Sequence, residues 1–215
     1  MTFRTGSRLS GPVVRVAAVG AVLFAAANVA DAWVFHHVSY PRIYDHDWGR
    51  LLRLVGYLWT WIIVAAVFVA RDRATPEGSV PRSALRRGGL LLGAPVFAGL
   101  AAEVAKILVR RVRPSLTDGL HVFRPWSDRP FATKDLGLPS SHAVVAFAAA
   151  TMLARLCPWG TPVWYALALA CGVTRVLSQA HFLSDVIAGA LVGYLCAVLL
   201  WARFGHGSGP ERRAL

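Results

Sequence analysis

The residues able to do chemistry gather in three short polar stretches, 106–114 (KILVRRVRP), 139–142 (PSSH) and 174–185 (TRVLSQAHFLSD). They offer Lys106, Arg113 and Arg175 as cations, His142 and His181 as titratable groups and Asp185 as a carboxylate. All lie beside apolar runs, where charge is costly unless it is paired or functional. His181 and Asp185 stand four apart, so a helix starting near residue 180 would carry both on one face. A carboxylate that accepts from one imidazole nitrogen fixes the tautomer and leaves the other nitrogen as nucleophile or base. A satisfied polar pair inside a bundle has the same spacing. Ser140, Ser141 and His142 directly precede an apolar helical run, and Pro139 restrains its entry. Free N–H groups and the dipole at such a start favour an anion, although an ordinary helix cap reads the same way. The cations strengthen the chemical reading: several of them around a histidine suit a phosphoryl group, whose transfer is dominated by charge stabilisation.

Composition says what must position these residues. Hydrophobic residues make up 56% of the 215, only 16% are charged, and the mean hydropathy is +0.50. That excludes an ordinary soluble domain, and the length suits a single core. The net charge of +12 raises nucleic acid as a partner. The arginines sit between apolar runs rather than covering a basic domain, however, which favours anionic lipid headgroups. Eight tryptophans and five tyrosines suit an interfacial belt. Cys157, Cys171 and Cys196 lie in or beside apolar runs without ligand-like spacing and read as small buried hydrophobes.

The apolar runs predict one all-α domain over 1–215, a bundle of six transmembrane helices at about 13–34, 51–70, 89–109, 141–157, 162–177 and 182–204. The first run is longer than the apolar core of a signal peptide and reads as a retained span. Asp31, near its far end, is expected at the membrane interface. His36 and His37 open a polar turn and read as a wet loop rather than a metal site. Glu103 stands three before Lys106, so the two share a helix face, either as an internal pair or with Glu103 positioning Lys106. The proline- and glycine-rich segment 110–138 is a candidate headgroup lid, with His121 and Trp126 as recognition residues. The tail 205–215 is small, polar and basic, and is expected to be disordered or surface-lying. Six spans put both termini on one side and all three motifs on the other. Lys plus Arg then number 12 on the terminal side and 11 on the motif side, or 12 against 8 without Lys106, Arg113 and Arg175, a bias toward cytoplasmic termini.

In order and spacing, the three stretches resemble the signature of the type 2 phosphatidic acid phosphatase (PAP2) superfamily, KxxxxxxRP, PSGH and SRxxxxxHxxxD. Lys106, Arg113 and Pro114 match the first element; Pro139, Ser140 and His142 the second; Arg175, His181 and Asp185 the third. Ser141 stands where the pattern has glycine and Thr174 where it has serine. The six-span layout resembles the integral membrane lipid phosphate phosphatases of that family rather than its soluble acid phosphatases or vanadium haloperoxidases. The resemblance implies a two-step phosphomonoesterase needing neither metal nor cofactor. His181 would be the nucleophile, Asp185 its orienting carboxylate, and His142 the acid of the first step and base of the second. Lys106, Arg113, Arg175, the Ser140 hydroxyl and the Ser141 backbone N–H would bind phosphate oxygens. Independently of the family, two histidines with opposite roles suit double displacement. Only Asp185 among the motif residues is a hard-cation ligand, and the basic side chains around it disfavour Mg²⁺.

The expected substrate is a phosphorylated lipid of the bacterial inner membrane, met on the periplasmic or exterior face. Phosphatidic acid, phosphatidylglycerol phosphate, undecaprenyl pyrophosphate and lipid A phosphate are the candidates. Neither nucleic acid nor an obligate protein partner is expected. Two alternatives use the same basic face, a lipid-to-lipid phosphotransferase and a non-catalytic transporter or anionic-lipid scaffold.

Overall fold

The computed structural model describes residues 10–74 and 81–205. The basic tail beyond residue 205, the first arginines and the Pro76 and Gly78 breakers of the second connection lie outside the described residues. Seven α-helices follow one another: α1 (Ser10–His37), α2 (Asp47–Leu54), α3 (Leu58–Ala74), α4 (Pro81–Val109), α5 (Ser141–Leu156), α6 (Thr161–Leu177) and α7 (Leu183–Phe204). Short 3-10 turns at Pro41–Asp45, Pro114–Leu116 and Pro158–Gly160 each begin on proline, whose fixed φ and missing N–H suit a first helical position. The fold is all-α, as expected. Three helical stretches are long and apolar enough to cross a membrane, Gly11–His37, Leu85–Val109 and Leu183–Phe204. A fourth arises if α2 and α3 form one broken span. At 16 and 17 residues, α5 and α6 fall short of the roughly 20 that a full crossing needs.

The stretch 51–70, expected as one span, is two helices bent by 65°. The bend is chemically provided for: Thr60 Oγ1 donates to Leu54 O at 2.7 Å and Trp61 Nε1 to Val55 O at 2.9 Å, satisfying carbonyls freed at the end of α2. The bend also fits the start of α5, since a Cβ on Gly56 would lie 2.7 Å from the Cβ of His142.

The centre of the bundle is α5, where residues 143–146 and 148–153 are all buried. Its alanines let α4, α6 and α7 close in around it. On α7 the approach is closer still: a Cβ on Gly193 would sit 2.4 Å from Val144 O, and one on Gly189 2.8 Å from Ser140 O. This contact locks the beginning of α5 beside the beginning of α7, and so sets the second motif against the third. Outside, Val29, Trp59, Ile63, Leu100, Leu108 and Leu199 are all well exposed, an apolar coat suited to lipid rather than water.

Between α4 and α5 the chain has little regular structure beyond two isolated antiparallel bridges, Arg111 with Phe123 and Val112 with Leu136. Buried Arg110 holds the segment together. Its guanidinium donates to the carbonyls of Arg124, Pro130, Pro125 and Asp128 at 2.6 to 3.0 Å and lies 4.8 Å from the centre of the Trp126 ring. Arg124 likewise donates to Ala132 O and Lys134 O. A guanidinium presents five donors in a fixed fork, so two buried arginines satisfy carbonyls that helix or sheet would otherwise satisfy.

Candidate active site

His181 lies in the turn between α6 and α7 and is 3% exposed. Its backbone N–H donates to Arg175 O at 3.2 Å, tying it to the last turn of α6. Its Nδ1 is 3.0 Å from Gly137 O. A carbonyl only accepts, so Nδ1 carries the proton and Nε2 the lone pair. Asp185 was the expected orienting group, yet its Oδ2 is 3.6 Å from Nδ1 and acts on it by charge rather than by a hydrogen bond of normal length. That oxygen instead accepts the Phe182 N–H at 3.0 Å and caps α7. Gly137 therefore shares the orienting role, and a Cβ there would crowd Asp185 Oδ2 at 2.8 Å. Burial pushes the His181 imidazole down to about 4, although the Asp185 carboxylate pulls it upward. The ring is thus neutral near pH 7, the form that a nucleophile requires.

The anion-binding side chains meet at the same place. Ser140 N donates to Asp185 O at 3.0 Å, seating the start of α5 on the first turn of α7. Ser140 Oγ, His142 Nε2 and Arg175 Nε are all buried with no hydrogen-bond partner among the described residues. Such atoms are expensive to leave unpaired, and here they share one junction. Arg175 Nη1 donates to the Tyr44 hydroxyl at 2.7 Å, and that hydroxyl lies 3.2 Å from Thr174 O. Thr174 Oγ1 donates to Cys171 O, so the residue in place of serine keeps its hydroxyl in use. Arg113 is half-buried directly before the 3-10 turn Pro114–Leu116. Its guanidinium is held below the usual range by burial first and by Arg175 next, with Arg53 adding a smaller push and Asp135 and Asp185 opposing.

Lys106 and Glu103 form the expected pair at 2.7 Å. Ser141 joins them: its hydroxyl donates to Glu103 Oε1 at 3.0 Å and accepts from Lys106 Nζ. The hydroxyl that departs from the glycine pattern thus helps to aim the lysine.

The two residues expected to read the headgroup have other partners. His121 Nε2 lies 3.1 Å from Asp31 Oδ2, with its ring edge-on to Phe182, and Trp126 covers Arg110. Asp31 is buried within the protein, being only 1% exposed. Its oxygens accept from the Ser184 N–H at 3.0 Å and from the Ser184 hydroxyl, with the Arg111 guanidinium 3.8 Å away. Arg111 is the cation that sequence reasoning missed. It binds Asp185 Oδ1 through Nε at 3.1 Å and through Nη2, Asn28 Oδ1 at 3.0 Å and Ser184 Oγ at 2.7 Å. The charge of Asp31 inside an apolar run was the available signal for a buried cation near it. Among the described residues, no group of three or more His, Cys, Asp or Glu side chains is placed to hold a metal ion.

Several known proteins resemble this chain. The chain is 34% identical over 123 residues to the lipid A 1-phosphatase of Rhizobium etli, covering 55% of this chain and 52% of that protein. It is 34% identical over 131 residues to the decaprenylphosphoryl-5-phosphoribose phosphatase of Mycolicibacterium smegmatis, covering 60% and 62%. The match thus spans about half the length of the Rhizobium relatives. A crystal structure titled as the first transmembrane PAP2 type phosphatidylglycerolphosphate phosphatase, from Bacillus subtilis, superposes with a TM-score of 0.59. That alignment covers 89% of this chain and 94% of the other at 20% identity, a likeness of fold. The model of the PAP2 superfamily matches residues 87–206, more than half of the sequence and all three motifs, and the chain belongs to that superfamily.

Proposed function

We propose that the protein is a metal-independent phosphatase of membrane lipids that cleaves a phosphomonoester or pyrophosphate through a phosphohistidine on His181. One observation carries the proposal: the unspent buried atoms Ser140 Oγ, His142 Nε2 and Arg175 Nε share a junction with a neutral histidine whose free nitrogen is Nε2. His181 Nε2 attacks phosphorus while Lys106, Arg113, Arg175, the Ser140 hydroxyl and the Ser141 N–H hold the nonbridging oxygens. The bond from phosphorus to the lipid oxygen breaks as His142 gives that oxygen its proton. His142 then takes a proton from the water that attacks the phosphohistidine, releasing inorganic phosphate and restoring both histidines. The Asp185 carboxylate offsets the positive charge that His181 acquires in between. The cation-lined site disfavours a divalent ion, and the negative charge of the phosphoryl group is met by side chains instead.

Six passes through the bilayer suit this reading, with α2 and α3 as one broken pass and α5 and α6 walled in by neighbours. The motif-bearing turns then share one face, at headgroup depth, on the periplasmic or exterior side of a bacterial inner membrane. The Lys and Arg bias of the sequence supports that orientation. Beyond Lys106, Arg113 and Arg175, the residues Arg110, Arg111 and Arg124 are buried and committed to the protein. On the terminal side Arg86 and Arg87 are committed in the same way, to Phe204 O and Asp72. Phosphatidic acid, phosphatidylglycerol phosphate, undecaprenyl pyrophosphate and lipid A phosphate are the candidate substrates, and the lipid phosphatase names of the relatives fall in the same class.

Purified protein in detergent and lipid, assayed for phosphate release from these four lipids in EDTA, tests the reading. Release from at least one, with an acid-labile phosphoenzyme trapped on His181, is the expected result. Activity abolished by EDTA and restored by a metal would overturn the mechanism. Transfer to a second lipid with no free phosphate would replace hydrolysis with phosphotransfer.

A further inference from the structure

Arg53 belongs to none of the three motifs, yet it stands at the site. It lies in the last turn of α2, and among the described residues its side chain makes neither a hydrogen bond nor an ion pair; its Nε is buried and unpartnered. Two rings hold it instead, with its guanidinium carbon 4.9 Å from the centre of Tyr44 and 5.4 Å from that of Tyr57. Both rings lead into the catalytic groups. Tyr44 accepts a hydrogen bond from Arg175, and Tyr57 packs edge-on against His142 with centroids 4.9 Å apart. The chain turns at Gly56 against the Cβ of His142. A partly buried guanidinium without a carboxylate, set among like charges, is unfavourable in the free protein and becomes favourable when an anion arrives. The Arg175, Arg113 and Lys106 side chains already meet the charge of the phosphoryl group under attack. Arg53 approaches instead from the side of His142, where the leaving oxygen departs.

We propose that Arg53, clamped between Tyr44 and Tyr57, binds the second phosphate of a lipid pyrophosphate, the one that leaves with the lipid. This inference rests on the phosphatase reading and narrows its substrate class to pyrophosphates. His181 Nε2 bonds to the terminal phosphorus, the bond from that phosphorus to the bridging oxygen breaks, and the electron pair stays on the lipid monophosphate. Arg53 meets the charge gathering there, and water later frees the terminal phosphate from His181 as inorganic phosphate. A phosphomonoester leaving as a neutral alcohol would give Arg53 no such charge to hold.

The test compares farnesyl diphosphate with farnesyl monophosphate as probes, using the full chain purified in detergent and initial rates of phosphate release. The wild type should prefer the diphosphate, and Arg53→Ala should lower kcat/KM for it about 10- to 100-fold more than for the monophosphate, the loss expected for a hydrogen bond between charged groups. The shorter, uncharged but polar Arg53→Gln should shift the preference in the same direction, and its thermal unfolding reports whether the fold is intact. Equal losses on both probes, an unchanged ratio in both variants, or a wild type that acts on the monophosphate alone would overturn the role of Arg53 while leaving the phosphatase reading standing. A wild type that releases phosphate from neither of these probes nor from the four lipids above would overturn both.

Discussion

Asp185 divides the polar interior into two regions that solve the problem of buried charge differently. Toward α1, the Arg111 guanidinium is surrounded by Asp185, Asp31, Asn28 and Ser184, and every one of these groups has a partner inside the protein. Toward α2 and α6, Arg53, Arg113 and Arg175 have no ion pair among the described residues, and two of the three leave a buried Nε unpartnered. A saturated cluster can fix geometry but has nothing left with which to bind. An unsaturated cluster of one sign is strained until a ligand of the other sign arrives. The difference separates residues that hold the site from residues that use it, although both sets are arginines deep in an apolar chain.

The largest effect should come from the nucleophile beside Asp185, the carboxylate that the two regions share. His181→Asn keeps a side chain able to reach Gly137 O but removes the nucleophile, and phosphate release should fall about 10⁴-fold or more with the fold intact. Activity near that of the wild type would dismiss His181 as the attacking group. Next comes the saturated side: Arg111→Met strands Asp31 and Asp185 without their cation and should destabilise the protein by about 3–5 kcal/mol in thermal or denaturant unfolding in detergent. An unchanged unfolding transition would show that the cluster is not what holds α1 to α7. On the unsaturated side the expectation reverses. Arg113→Ala should cost about 10²- to 10³-fold in kcat/KM, the usual loss for one stabilising donor, while relieved repulsion leaves the unfolding temperature level or higher. A large drop in stability there would erase the contrast.

The mildest prediction concerns pH. An imidazole near its ordinary value would lose its lone pair as pH falls through about 6.5, whereas His181 in the folded free enzyme keeps it until about 4. The acid limb of kcat/KM should therefore lie nearer 4 than 6.5, and a limb at 6.5 would show that the ring is not desolvated. The stability contribution has its own sign. Between those values the unfolded chain binds a proton that the folded state resists, so this group lowers stability as pH falls from 6.5 toward 4.

The residues legible in the sequence were those whose meaning lies in local spacing. Glu103 and Lys106 three apart, His181 and Asp185 four apart, and the cations before Pro114 and after Thr174 all point to one site because helix geometry turns spacing into proximity. What escaped was set by contacts across long stretches of chain. Arg111 meets Asp31 from 80 positions away, and nothing in either neighbourhood names the other. Arg53 was hidden because 51–70 reads as one apolar span, and only the bend at Gly56 brings the end of α2 against His142. The segment 110–138 invited a role in recognition through its composition, yet Arg110 and Arg124 spend their donors on its own carbonyls, and Trp126 covers Arg110. Periodicity found the helices themselves; their interruption, which depends on capping by Thr60 and Trp61, it did not show.

The cluster around Arg111 also bears on how the protein is made. Asp31 and Arg111 are synthesised well before Ser184 and Asp185, so both wait for part of their final partners. Until then Asp31 has Arg111 at 3.8 Å and His121 at 3.1 Å, and Arg111 has Asn28, while the hydrogen bonds to Asp185 and Ser184 await α7. Membrane insertion of the last helix is thus the step that neutralises the first, and it delivers Asp185 beside His181 in the same movement. A chain truncated before α7 would leave Arg111 without Asp185 and Ser184, and Asp31 without the two Ser184 donors.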